Sequence, residues 1–197
     1  MIDYILKISD RKSTAIKVID NQVVVYTNKF VKKKDIEELI LKNMDKINSK
    51  MKDDSVFSFL GKDYDLIYKE SSFNKYEFKG QQLYIYYTKK DNISLIKENI
   101  LIDNQNILLD IVNKCVDGFE VKPKKIQIKR LKRTFGICHS NYEISISINV
   151  LHYRVEFMEM VVFHELCHLI HMNHGKGFYD LLKKYVPDYK LLVKEVR

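Results

Sequence analysis

Cysteine is scarce in this sequence, and its few copies are far apart. The 197 residues include only Cys115, Cys138 and Cys167. Their number is odd, and no CxxC pair occurs. A disulfide framework of the kind that holds small secreted domains together is therefore not expected. Unpaired thiols fit a reducing compartment, and we predict a cytoplasmic protein.

Long hydrophobic runs are missing as well. No apolar segment reaches the ~20 residues that a membrane-spanning helix needs. The N-terminus carries Asp3 and Lys7 and lacks the apolar core of a signal peptide. Internal repeats, low-complexity segments and flexible linkers are also absent. These absences argue against membrane and repeat proteins, and the length suffices for one sizeable core or two small, closely packed lobes.

Positive charge is in excess, with 34 Lys and Arg against 26 acidic residues and a net charge of +8. Part of the excess is concentrated in residues 122–133. Read as a strand, this segment places Ile126 and Ile128 on one face and basic side chains on the other. The basic face is either a solvated surface or a contact for the phosphates of nucleic acid or a nucleotide. The basic residues of the segment are Lys122, Lys124, Lys125, Lys129, Arg130, Lys132 and Arg133.

The strongest chemical signal is an HExxH motif that runs from His164 to His168. It lies in an apolar stretch, Val155 to Met172, that contains no proline or glycine, so we predict a helix. Residues four apart share a face of a helix. The imidazoles of His164 and His168 can therefore bind one metal ion, with the carboxylate of Glu165 beside it.

A third ligand has two candidates, His171 and His174. His171 lies seven residues after His164, about 10 Å along a straight helix. That distance is too long for both to reach one zinc ion, which holds its nitrogens at about 2.0–2.1 Å. Asn173 and Gly175 are plausible helix-ending residues, and His174 lies between them. We therefore assign His174 as the third ligand and expect His171 to line the cleft or to end the helix.

This residue set predicts a hydrolase that depends on Zn2+. Three neutral imidazoles leave the ion positively charged with an open fourth position, and a water there has its pKa lowered toward neutrality. Glu165 can take the proton of that water and deliver it to a leaving group. Cys167 points off the histidine face, so we expect it to be a small buried residue.

At these residues the chain resembles the YgjP-like metallopeptidases, relatives of the SprT and WLM-type (Wss-like) zinc proteases. The resemblance rests on Val161 to Leu169, Asn173-His174-Gly175 with Phe178, Pro187-Asp188-Tyr189, Lys132 to Ser140, Asn149, and Phe59 to Leu66. It implies that His164, His168 and His174 bind the metal and that Glu165 is the catalytic acid/base. The family's usual Arg-Trp-Gly-Ser-Cys-Ser segment has Phe135 and Ile137 in place of Trp and Ser, and Met160 replaces a frequent Tyr. These departures concern substrate contacts more than metal binding.

We predict an α+β fold in two parts that form one compact unit. Residues 1–88 read as a β-rich lobe of short strands with one helix, which begins with Asp35 as N-cap and runs to about Ser49. Residues 89–197 read as the catalytic core, which opens with one long helix from Ile93 to Val116. The resemblance implies a zincin-like arrangement of helix, sheet and active-site helix in this second part.

Three functions remain open from the sequence. The first is a zinc peptidase that cleaves peptides or proteins, and the second is a nucleotide pyrophosphatase that uses the same metal site. The third is a nucleic-acid-associated binding module with a structural zinc, for which Cys138 and His139 are the nearest candidates for a fourth ligand. Asn149, Arg154, Tyr153 and His139 are all possible donors to a transition state. The sequence does not determine the oligomeric state.

Overall fold

The computed structural model describes residues 4–19, 22–48, 55–88 and 93–195. The chain divides into two compact units, Met1–Ser55 and Val56–Arg197. The predicted boundary between residues 88 and 89 adjoins residues 89–92, which lie outside the described part, and it stays a prediction. Among the described residues, no helix is long and apolar enough to cross a membrane.

The first unit is a three-stranded sheet with two helices. Strand β3 lies in the centre, parallel to β1 and antiparallel to β2. Val23 and Val25 alternate toward one face of the sheet and pack in a small core with Ile36, Ile40 and Ile47 of the helices. The elements are β1 (Tyr4–Ile8), β2 (Ala15–Ile19), β3 (Gln22–Thr27), α1 (Lys33–Lys42) and α2 (Met44–Asn48).

The predicted helix of this unit is correct in position but wrong in its start and its continuity. Helix α1 begins before Asp35, with Lys32 as N-cap, so Asp35 lies in the first turn, where the helix dipole favours a carboxylate. The helix then stops at Asn43, whose side-chain amide donates to the carbonyl of Leu39 at 2.8 Å. The predicted end at Ser49 lies outside the described residues.

The second unit opens with a four-stranded sheet in the order β4-β5-β7-β6. Strands β4 and β5 are joined by a two-residue turn in which Leu60 and Gly61 both have positive φ, 52° and 73°. This conformation matches the twist of a hairpin. The tip of the turn lies directly against the backbone of Arg154, where a Cβ on Gly61 would come within 2.9 Å of Arg154 N and Cα. The strands are β4 (Val56–Phe59), β5 (Lys62–Glu70), β6 (Lys75–Lys79) and β7 (Gln82–Tyr87).

The long helix predicted from Ile93 to Val116 is two helices, α3 (Ile93–Asp103) and α4 (Gln105–Gly118). They separate at Asn104. Its amide donates to the carbonyl of Ile100 at 2.7 Å and to the hydroxyl of Tyr76 at 3.2 Å. The apolar pattern therefore identified the helical region correctly but missed a local hydrogen bond that ends the first helix.

A second sheet and three further helices complete this unit. The sheet has the order β8-β10-β9, with β8 parallel and β9 antiparallel to β10. Helix α5 is apolar on nearly every side and contacts α4, β9 and β10 within the main core. The predicted α+β class, with a helix, a sheet and a second buried helix, is therefore confirmed. The elements are β8 (Lys125–Lys129), β9 (Gly136–Cys138), β10 (Glu143–Ser147), a 3-10 helix (Ile148–His152), α5 (Val155–Cys167), α6 (Lys176–Tyr185) and α7 (Tyr189–Lys194).

Candidate metal centre

Helix α5 carries the HExxH motif but ends earlier than the apolar run suggests. Its last residue is Cys167, and His168 is its C-cap. The backbone N–H groups of Leu169 and Ile170 donate to the carbonyls three residues before them, which tightens the chain into a turn. The prediction that Asn173 and Gly175 end this helix is therefore wrong; Gly175 is the N-cap of α6.

The turn brings three imidazoles together. Nitrogens of His164, His168 and His174 all lie within 4.8 Å of one another. The Nε2 atoms of His164 and His174 are 3.1 Å apart. Two imidazole nitrogens bound tetrahedrally to one zinc at ordinary bond lengths are separated by about 3.4 Å. This pair of nitrogens is therefore close to the separation that a zinc ion requires, and the remaining pairs, at no more than 4.8 Å, reach it if the rings move closer together.

The ring of His168 is oriented by a backbone carbonyl. Its Nδ1 lies 3.0 Å from the carbonyl oxygen of His171. A carbonyl can only accept, so Nδ1 carries the proton and Nε2 keeps its lone pair for a metal. His171 thus contributes to the site through its main chain, which the sequence analysis did not identify. Its own ring packs over Gly177, where a Cβ would come within 3.0 Å of the ring carbon Cε1.

A single phenyl ring contacts all three imidazoles. Phe178 is fully buried, and its ring centroid lies 4.9 Å from that of His164, 4.6 Å from that of His168 and 4.7 Å from that of His174. It belongs to the main hydrophobic core. The three imidazoles therefore share one apolar contact that joins them to the interior of the unit.

The surroundings of His164 and His168 favour the neutral imidazole, which is the state that binds metal. Burial lowers the pKa of His164 to about 4, with a further contribution from the charges of His168 and His174. Burial also lowers the pKa of His168, and His174 adds to this effect, whereas the hydrogen bond to the His171 carbonyl opposes it.

Glu165 is buried, with 6% of its surface exposed. Burial raises the pKa of its carboxyl to about 7, and a hydrogen bond from the backbone of Cys138 acts in the opposite direction. Gly136 of β9 lies against the same side chain, where a Cβ would come within 2.6 Å of Oε1. The carboxyl is thus held between α5 and β9 and titrates near neutral pH.

Comparison with protein families agrees with this geometry. A family model described as "YgjP-like, metallopeptidase domain" matches residues 12–197. The chain belongs to the YgjP-like metallopeptidase family. Its members are named for metal-dependent peptidase activity, and the three-histidine group offers this YgjP-like chain a place for the metal.

Among solved structures, this YgjP-like chain is similar to the metallopeptidase zymogen of Pyrococcus abyssi abylysin. The identity is 23%, the match covers 45% of this chain and 90% of that one, and the TM-score is 0.40. No curated protein matches the chain.

The two residues considered as a fourth ligand do not join the histidine group. Within the described residues, that group contains no cysteine and no carboxylate. Cys167 is completely buried, as expected of a small core residue, and burial, with Glu120, raises its pKa to about 12. Cys138 and His139 lie at the end of β9, where the backbone N–H of His139 donates to the carbonyl of Glu143.

Two of the four suggested transition-state donors, Asn149 and Arg154, have polar partners elsewhere, and the ring of a third, Tyr153, packs in an aromatic cluster. The amide of Asn149 donates to the carbonyl of Leu131. Arg154 forms ion pairs with Glu195 and Glu156. Tyr153 packs against Phe135 and Phe157.

Part of the basic segment is also committed to structural contacts. Lys122 donates to the carbonyl of Asp117 near the end of α4 and to that of the C-cap residue Phe119 at 2.9 Å, a common way of satisfying a helix C-terminus. Arg130 is paired with Glu98 at 2.5 Å. These two cations therefore stabilise the fold, and a phosphate contact through residues 122–133 stays a prediction.

Proposed function

We propose that this YgjP-like protein is a zinc-dependent peptidase. In this proposal His164, His168 and His174 bind the ion, and Glu165 is the catalytic proton acceptor. The observation that carries the proposal is the convergence of three imidazoles at the end of a helix that also carries the buried Glu165, in a member of a metallopeptidase family.

The donor set suits a catalytic zinc better than a structural one. Structural zinc sites are closed by four protein ligands, whereas catalytic sites have three and an open position. In the described part of the chain, three histidines form the group and no fourth ligand joins them. A zinc ion in such a site polarises the carbonyl under attack and lowers the pKa of water toward neutrality.

Glu165 is suited to move a proton at neutral pH. A general base works best when its pKa lies near the working pH, and burial brings this carboxyl to about 7. In its ionised form it accepts a proton from the attacking water on a carboxylate oxygen. It then delivers that proton to the amine nitrogen that leaves when the peptide bond breaks.

We propose a peptide or protein in extended form as the substrate. Strand β9 is at an edge of its sheet. The backbone N–H of His139 donates to the carbonyl of Glu143, and the backbone N–H of Ser147 donates to the carbonyl of Phe135. Along an antiparallel pair of strands, residues that are hydrogen-bonded to the partner strand alternate with residues that are not. The N–H and C=O groups of Gly136 and the C=O group of Cys138 therefore point away from β10, as does the N–H of Cys138, which donates to Glu165. An extended peptide can pair with this edge beside Glu165.

A cytoplasmic location remains part of the proposal, supported by the three free thiols.

Metal analysis together with two variants tests the proposal. We expect about one zinc per purified chain, as a three-histidine site requires. Glu165→Gln should retain zinc and lose peptidase activity on an unfolded protein such as casein, because an amide cannot accept the proton. His174→Ala should lose both zinc affinity and activity.

His171→Ala is the matched control, because it removes an imidazole from the same turn and leaves the carbonyl that orients His168. It should bind zinc nearly as well as the wild type. Full activity in Glu165→Gln, or tight zinc binding in His174→Ala, would contradict the assignment.

A further inference from the structure

His174 differs from the other two proposed ligands in how it is held. His164 is fixed within α5, and His168 donates to the carbonyl of His171. His174 is exposed and lies between α5 and α6. Among the described residues its ring makes one hydrogen-bond contact, and that contact is with His164, another of the proposed ligands. Its orientation must therefore come from contacts between rings.

Two tyrosines extend from His174 in a continuous stack. The ring of Tyr179 stacks on that of His174 with a centroid distance of 6.1 Å and an interplanar angle of 27°. Tyr189 stacks on Tyr179 at 5.8 Å and 18°. These distances lie in the range of specific aromatic pairs. Tyr179 is in α6, and Tyr189 is the first residue of α7, so two helices set the stack.

Hydrogen bonds of the phenol hydroxyls do not hold the stack together. Within the described residues, both tyrosines form hydrogen bonds through their backbone N–H groups, to Gly175 O and Val186 O, and neither phenol hydroxyl forms one. Tyr179 is 41% exposed, so its ring contributes little to the core. Phe178 also contacts His174, but it is fully buried and contacts all three imidazoles, so its removal would disturb fold and site together.

We infer that Tyr179, backed by Tyr189, is a positioning residue that fixes the ring of His174 for metal binding. The inference rests on the proposed metal site. Residues that orient a metal ligand typically change metal affinity by about 10–100-fold when they are replaced. Because Tyr189 reaches His174 only through Tyr179, its effect should depend on the presence of Tyr179.

Zinc affinity, measured by competition with a chromophoric chelator, tests this inference. Tyr179→Leu keeps apolar bulk but removes the ring, and we expect it to bind zinc about tenfold more weakly, at the lower end of the range for such residues. Tyr179→Phe should bind as the wild type does. Tyr189→Leu should lose less than Tyr179→Leu, and the double variant should lose no more than Tyr179→Leu alone.

Two measurements separate this effect from general damage. The thermal midpoint of the zinc-free protein should be nearly the same in Tyr179→Leu and the wild type, because the side chain is substantially exposed. Phe73→Leu, which changes another exposed aromatic residue, should leave zinc affinity unchanged.

The outcomes distinguish the inference from the proposed function. Wild-type zinc affinity in Tyr179→Leu, with affinity lost in His174→Ala, would overturn the inference and leave the metal site intact. Equal losses in Tyr179→Phe and Tyr179→Leu would also overturn it, because the hydroxyl would then be responsible. If the wild type itself bound no zinc, the proposed function would fail.

Discussion

Glu165 can occupy its position only because residue 136 has no side chain. A Cβ at Gly136 would lie 2.5 Å from Cγ of Glu165, closer than nonbonded carbon atoms can approach. The carboxyl proposed to be catalytic and a glycine 29 residues earlier in the chain are therefore one structural unit. The spacing of the HExxH motif alone does not reveal this dependence.

Gly136→Ala is accordingly expected to lower peptidase activity by about 100-fold, the loss that a displacement near 1 Å can cause. Zinc content should remain near one per chain, because the atoms nearest to a Cβ at this position all belong to Glu165 and not to the three histidines. Activity and zinc content measured on the same preparation check the expectation. Gly118→Ala, with open space around its Cβ, is the control and should keep full activity. Full activity in both variants would show that Glu165 can move without consequence.

At the scale of elements, the β4–β5 hairpin fixes the start of α5, the helix of the candidate site. The turn residue Gly61 lies against the backbone of Arg154, the N-cap of α5, and the backbone N–H of Leu60 donates to Leu151 O at 2.8 Å. The side chain of Arg154 is also held by Glu195, because its Nε donates to the Glu195 carboxylate at 3.0 Å. Both contacts restrain the helix that carries His164 and Glu165.

Two glycines allow the hairpin contact to be measured. Gly61 and Gly80 both have positive φ, 73° and 59°, so alanine is strained at either position. Only Gly61 faces a backbone at contact distance, whereas Gly80 has open space. We expect Gly80→Ala to lower the free energy of unfolding by about 1 kcal/mol. Gly61→Ala should lower it by about 3 kcal/mol, since overpacking adds to the strain.

Urea unfolding followed by circular dichroism gives both free energies. The difference between the two losses of unfolding free energy removes the shared cost of positive φ. It leaves the contribution of the contact between the hairpin and α5. Equal losses in the two variants would mean that the hairpin moves away from Arg154 at no cost.

The elements also show how far the sequence could predict the fold. The spacing of apolar residues predicted α5 and the helical character of residues 93–116, because a helix that buries one face repeats apolar residues at intervals of three and four. The breaks at Asn43 and Asn104 could not be predicted by residue type, since Asn99 and Asn113 remain inside helices. What distinguishes the two breaks is an amide that bonds to a carbonyl four residues earlier. That choice depends on tertiary contacts, such as the hydroxyl of Tyr76.

The sequence likewise predicted some residues of the candidate site and missed others. The i, i+4 spacing placed His164 and His168 together, and the limited reach of a helix favoured His174 over His171. The sequence assigned no role to the carbonyl of His171, to Gly136 or to Phe178, although the last two lie in the segments that carry the family resemblance. Each acts through a contact between segments, or through the main chain, which carries no residue-specific signal.

At the scale of the whole molecule, the metal site and the hydrophobic core are in direct contact. Phe178 packs with the core of the second unit and contacts all three imidazoles. Zinc binding should therefore stabilise the whole unit against unfolding, because the ion binds the folded state and its ligands are dispersed in the unfolded chain.

Removal of the metal should accordingly lower the thermal midpoint. Free zinc at 100 times its dissociation constant stabilises the folded state by about 2.7 kcal/mol. For a chain of this size, that corresponds to a shift of roughly 5–10 °C. Thermal unfolding with zinc and with excess chelator measures the shift. Glu165→Gln should show the same shift, and His174→Ala should lose most of it. Identical midpoints with and without zinc in the wild type would contradict the expectation.

The hydrogen bond from Cys138 to Glu165 has a consequence for the thiol of that cysteine. The donor is a peptide N–H, which every amino acid except proline supplies. The sulfur atom is then dispensable for proton transfer. Serine or alanine at this position should therefore preserve the alignment of Glu165 and leave peptidase activity close to that of the wild type.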